Sequence, residues 1–116
     1  MKLNANHPRL NYILGLEAVA NKKPEVAVTY YLKAIENYPK EDRFHLNETY
    51  NNLGSVYYSL GNIKDAKESW ENALVLFPTD QLTRENLNEF IYENSIIPIE
   101  MREIPPFIKK FINKRT

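Results

Sequence analysis

Residues 66–78 read AKESWENALVLFP, and residues 27–39 read AVTYYLKAIENYP. Both stretches set a small residue, a large aromatic, a second small residue and a proline at the same intervals. The positions are Ala27, Tyr31, Ala34 and Pro39 in one, and Ala66, Trp70, Ala73 and Pro78 in the other. Upstream of each lies a Leu-Gly pair, Leu14-Gly15 and Leu53-Gly54, whose glycine precedes the first alanine by twelve residues. Six positions thus recur at an offset of 39 residues, and self-similarity on that scale marks a repeat architecture.

Helical spacing explains the pattern. Ala66, Trp70 and Ala73 fall at i, i+4 and i+7, so they line one face of a helix. Two alanines around one ring let a neighbouring helix approach closely while the ring fills the space between. Leu53, Gly54 and Tyr57 supply the facing surface on the preceding helix. Glycine costs roughly 1 kcal/mol relative to alanine in mid-helix, so its presence points to close packing. Pro39 and Pro78 stop the second helix of each pair, because proline lacks a donor and disfavours helix at the residue before it.

At this point the chain resembles the tetratricopeptide repeat family. Over residues 47–80 the resemblance holds at Leu53, Gly54, Tyr57, Ala66, Trp70, Ala73 and Pro78, with Tyr50 where the family usually has Trp. Over residues 8–41 it is looser: Leu14, Gly15, Ala27, Tyr31, Ala34 and Pro39 are kept, while Asn11 and Ala18 depart from the pattern. The fold expected is all-α, an α-α superhelix of two such hairpins with a C-terminal capping helix and a short terminal helix.

The spacing predicts helices over 8–21, 24–38, 43–60, 63–77 and 80–94. Residues 1–7 form an N-terminal tail, 8–94 the repeat domain with 80–94 as its cap, and 95–116 a connector and terminal helix. Pro24 suits a first helical turn. Asn62 and Asp80 suit N-caps, with Asp65 near a positive helix end. The offset exceeds the family's 34 residues, and the five extra lie between Pro39 and Asn47. Phe44 and Leu46 argue against a solvated loop there and for an added N-terminal turn on the third helix. The fifth helix is largely polar, as the end of a stacked array requires, with Leu87, Phe90 and Ile91 for its inner face. Pro98, Pro105 and Pro106 mark an extended connector, after which Phe107, Ile108, Phe111 and Ile112 fall on one side of a short basic helix. That helix suits three tasks: covering exposed core, docking a partner or second copy, or lying on a membrane surface, for which one short basic helix is a poor anchor.

Composition removes several classes of function. The chain has 116 residues, enough for one modest core, and 43% of them are hydrophobic. Its 15 basic and 15 acidic side chains cancel, which removes the usual electrostatic reason for a nucleic-acid or anionic-membrane partner. Residues 99–116 nevertheless carry a net +3 and residues 1–98 a net −3. Cysteine is absent, so disulfides, thiolate metal sites and cysteine nucleophiles are excluded, and a reducing, cytoplasmic setting is expected. No signal-peptide core follows Met1, and no run of 18 apolar residues occurs.

Chemistry has no evident seat. His7 and His45 lie far apart, no paired metal-ligand spacing occurs, and Gly15, Gly54 and Gly61 make no phosphate-binding turn. No catalytic, cofactor-binding or metal-binding residue is expected, and the chain is read as no enzyme.

What remains is a surface. The resemblance implies that the first helix of each pair lines a concave groove. Its principal residues are then Arg9, Tyr12 and Leu16 from the first helix, Glu48, Asn51, Asn52, Ser55 and Tyr58 from the third, and Glu85, Glu89 and Tyr92 from the fifth. Ile13, Val19, Ser59, Leu82 and Asn86 flank them. Some family members clamp the terminal carboxylate of heat-shock chaperones with Lys, Arg and Asn side chains. Only Asn52 matches that set, so no such recognition is expected. The groove suits a protein partner, a peptide or helix with apolar anchors near Tyr12, Leu16 and Tyr58 and a basic end near the glutamates. Two alternatives stand beside it: residues 96–112 cover the groove, or the chain self-assembles through that face or its terminal helix.

Overall fold

Three helix starts in this chain are set by side chains that accept orphaned first-turn N–H groups, while the helix starting at Pro24 has proline in its first turn instead. His7 Nδ1 accepts from Leu10 N at 3.2 Å, Asp42 Oδ1 from His45 N at 3.2 Å, and Asp80 Oδ1 from Thr83 N at 3.2 Å. Five helices result in the computed structural model: α1 (Pro8–Ala20), α2 (Pro24–Asn37), α3 (Arg43–Ser59), α4 (Ile63–Leu76) and α5 (Gln81–Glu93). The structure describes residues 6–93, with side chains through Phe90. The connector and terminal helix expected over 95–116 lie outside the described residues, as does the side chain of Ile91.

α1 packs on α2 and α3 on α4 as two hairpins, with α2 against α3 and α4 against α5 joining them. Both hairpins are built on one contact. A β-carbon at Gly15 would lie 2.6 Å from Tyr31 Cδ1, and one at Gly54 would lie 2.5 Å from Trp70 Cδ1 and Nε1. Only glycine lets the helix backbone sit that close to the ring. Ala27, Ala34, Ala66 and Ala73 are fully buried, Tyr31 is buried, and Trp70 is 4% exposed. The paired small-large-small faces are therefore the core, as expected from the sequence.

The two hairpin turns also share one geometry. Lys22 and Gly61 both have positive φ, 59° and 80°. The next residues close each turn alike, with Lys23 N donating to Ala18 O at 2.8 Å and Asn62 N to Tyr57 O at 2.9 Å. This is the left-handed helix stop that glycine favours, here made once by glycine and once by lysine.

The residues inserted between the repeats extend α3, whose first turn begins at Arg43. Leu46 is buried beneath this turn, but Phe44 is 61% exposed, with its ring in a T-shaped contact with His45 at 5.2 Å. His45 in turn stacks on Tyr38 at 5.3 Å and contacts Asp42 Oδ2 through Nδ1 at 2.7 Å. Asn62 occupies the N-cap position of α4, yet its side chain makes no capping hydrogen bond. Asn47 performs an unexpected task, donating to Ala73 O and to Asp80 Oδ2, both at 2.9 Å, and so tying α3 to the α4–α5 corner.

Candidate functional site

The first helices lie side by side, and their facing side chains bridge α1 to α3 and α3 to α5. Arg9 Nη1 sits 3.4 Å from Glu48 Oε1, with the guanidinium 5.1 Å from the centre of the Tyr12 ring. Asn52 Nδ2 donates to Tyr12 Oη at 2.8 Å. The equivalent bridge from α5 is longer, Asn86 Nδ2 to Asn51 Oδ1 at 3.5 Å.

These bridges correct the expected anchor at Tyr12. Its ring is 5% exposed and belongs to the core, tilted against Tyr31 at a centroid distance of 5.8 Å. Burial and the nearby Glu48 carboxylate raise the Tyr12 phenol, and burial pushes Tyr31 up to about 12. Both stay neutral at any ordinary pH. The buried Tyr38 hydroxyl lacks a partner in hydrogen-bonding geometry, and burial raises its pKa although Arg9 pulls the other way. Arg9 itself is raised, first by Tyr38 and also by Glu48. At the α1 end, then, Arg9, Tyr12, Glu48 and Asn52 are engaged with one another. Leu16 stays 43% exposed, with Ile13 and Val19 similarly open on the same helix.

The α3–α5 end is different. Ser55, Tyr58, Trp70, Asn86, Glu89 and Phe90 enclose a depression of about 270 Å³. Its floor is a cluster of three rings: Trp70 and Phe90 at 5.6 Å, Tyr58 and Phe90 at 5.8 Å, and Tyr58 and Trp70 at 6.0 Å. Edge-on and tilted packing of this kind fixes the rings. Trp70 Nε1 donates to Asn51 O at 3.2 Å, which anchors the indole while its edge lines the pocket. Ser55, Asn86 and Glu89 add polar and acidic groups. Apolar floor with a few convergent polar groups is the usual make-up of a ligand-binding depression.

Of the expected groove residues, the structure gathers Ser55, Tyr58, Asn86 and Glu89 around this pocket. Glu85 lies one turn earlier on α5 and accepts from Gln81 Nε2 at 3.2 Å. Asn51 contributes its carbonyl from below, and the Tyr92 side chain lies outside the described residues. Trp70 and Phe90 are core residues, as their helical spacing predicts, and that they also border the pocket is more than spacing reports. A separate hollow of about 410 Å³ runs along the α2–α3–α4 seam, lined by Ile35, Tyr50, Asn72, Val75 and Leu76 among others, with one acid and one base, Glu36 and Lys40. Among the described residues no group of three or more His, Cys, Asp or Glu converges as a metal site, and no helix is long and apolar enough to cross a membrane.

Comparison with known proteins agrees with this architecture. Two family models, each described as Tetratricopeptide repeat, match the chain, one over residues 8–41 and one over residues 48–80. No curated protein matches it.

Proposed function

The chain belongs to the tetratricopeptide repeat family, whose repeats generally mediate protein–protein interaction and are typically non-catalytic, and on that premise we propose that it holds a peptide or helix of a partner protein along the α1–α3–α5 side. The observation that carries the reading is the pocket between α3 and α5. An apolar side chain of the partner fits over the Tyr58–Trp70–Phe90 floor, and a Lys or Arg beside it meets Glu89, with Glu85 one turn away. Leu16 offers a second apolar contact at the far end. No cofactor, metal or catalytic step is part of this function. The cysteine-free composition suits the cytoplasm as its setting.

A free carboxylate terminus is a poor ligand for this surface. Asn52 is the sole match to the clamp used for chaperone tails, and its amide already donates to Tyr12. Glu85 and Glu89 repel an anion. A nucleic-acid or membrane ligand has the same difficulty here.

Affinity capture with the intact chain and with a Tyr58→Ala/Glu89→Lys variant tests the reading. At least one protein retained by the former and lost by the latter is expected. Identical retention by both counts against it.

One observation favours a second reading, self-association. Ile13, Leu16 and Val19 leave an apolar stripe open along α1. Sedimentation over a concentration range separates the two readings, since only self-association raises the mass with concentration.

A further inference from the structure

Chain direction brings the end of α5 close to the acidic pocket, and the sequence that follows α5 becomes basic and apolar. α3 and α5 both run towards the pocket, which is lined by Ser55 and Tyr58 near the end of one and by Asn86 in the middle and Glu89 and Phe90 near the end of the other. Glu89 precedes the last residue of α5, Glu93, by four residues, or about 6 Å along the axis. The chain therefore leaves α5 within about a turn of the pocket and continues through residue 116.

Its sequence complements what it passes. Phe107, Ile108, Phe111 and Ile112 are spaced as one apolar side of a helix, and Lys109, Lys110, Lys114 and Arg115 supply cations. The body through residue 98 carries a net −3 and the remainder a net +3. The pocket presents the matching pair of features, a three-ring floor and the Glu89 carboxylate, with Glu85 on the next turn. The intervening residues 94–105 can span up to roughly 40 Å. A tethered ligand acts at an effective concentration on the order of millimolar, so even a weak contact of this kind becomes well populated.

We propose that residues 106–113 dock into the α3–α5 pocket of their own chain, apolar side inward and lysines towards Glu85 and Glu89, so that a partner must displace them. The inference rests on the pocket being a binding site, as in the function proposed above. It adds an occupant and a means of regulation.

Since the chain has no cysteine, introduced pairs report directly on proximity. Ser55→Cys with Asn113→Cys places one thiol at the pocket and one beside the apolar segment. Asn72→Cys with Asn113→Cys places the first in the α2–α3–α4 hollow instead. In the 116-residue chain under mild oxidation, the Ser55 pair should form an intramolecular disulfide at least tenfold faster than the Asn72 pair. Adding Phe107→Ser and Phe111→Ser should abolish that difference. Equal rates for the two pairs, a preference for the Asn72 pair, no disulfide, or a disulfide only between two molecules would each overturn the proposal. Failure here leaves partner capture by the pocket untouched, because the thiol experiment contains no partner.

Discussion

The α-carbon of Gly54 lies so close to the Trp70 ring that a β-carbon would fall 2.5 Å from two of its atoms, and Gly15 stands in the same relation to Tyr31. The two hairpins are one packing solution used twice. Because each ring is held between buried alanines, it has no room to retreat.

Gly54→Ala therefore sets two effects of opposite sign against each other. Helix propensity favours alanine by roughly 1 kcal/mol. Overpacking a tight core typically costs about 1–3 kcal/mol, and this contact is with a rigid ring anchored by its own hydrogen bond. The two together give a net loss of up to about 2 kcal/mol by urea denaturation, and Gly15→Ala should behave alike. A stabilised variant would show that the helices are further apart than described.

The hairpin turns call for a different exchange. Lys22 holds φ 59° where the second hairpin has Gly61 at 80°. A left-handed backbone costs an L-residue roughly 1–2 kcal/mol. Lys22→Gly should raise stability by about 0.5–1 kcal/mol, after allowing for the greater freedom of glycine in the unfolded chain. Gly61→Ala should lower it by about 1 kcal/mol, although no atom lies within 4 Å of the added carbon. Thermal melts of the two variants moving in opposite directions is the expected result.

Much of this architecture was readable beforehand, for a physical reason. Ala66, Trp70, Ala73 and Pro78 carry period, size and stop signal together, so side-chain type alone constrained how the helices meet. The turn at Lys22 was not readable, because nothing in a lysine announces a positive φ. Tyr12 differs from its register: repeat spacing places it on the groove side, but it packs inward against Tyr31 and accepts from the Asn52 amide. The pocket was half legible. Ser55, Tyr58, Asn86 and Glu89 followed from repeat register, whereas its floor depends on how α4 and α5 set the edges of Trp70 and Phe90, which no spacing rule describes.

Acid should loosen the α5 corner. Partial burial pushes the Asp80 carboxyl up, but hydrogen bonds from Thr83 and Asn47 outweigh it, so its pKa is lowered from 3.8. A group depressed in the folded state stabilises fully above its unfolded value, about 3.9 for aspartate, and that contribution is lost as pH falls through the lower native value. Asp42, lowered chiefly by its hydrogen bond to His45, adds in the same direction. Stability should therefore decline from pH 5 downwards. Asp80→Asn keeps a competent cap without the charge, and its stability should fall less steeply over that interval. An unchanged slope would remove Asp80 as a cause.

Tyr12→Phe separates structure from recognition at the α1 end. It deletes the acceptor of Asn52 Nδ2, a loss worth about 0.5–1.5 kcal/mol of stability. Partner affinity should stay within twofold, because the ring is buried. A tenfold loss of affinity without loss of stability would return Tyr12 to the binding surface.

In the proposed function a partner's side chain enters the pocket over Tyr58, Trp70 and Phe90. Trp70 is the single tryptophan, so its fluorescence reports on that pocket when a captured partner is titrated in. A saturable change is expected in the intact chain and in a Val75→Ala control, with at least tenfold weaker binding for Tyr58→Ala. Equal affinity for the two variants, or binding that leaves the Trp70 signal unmoved, would contradict it.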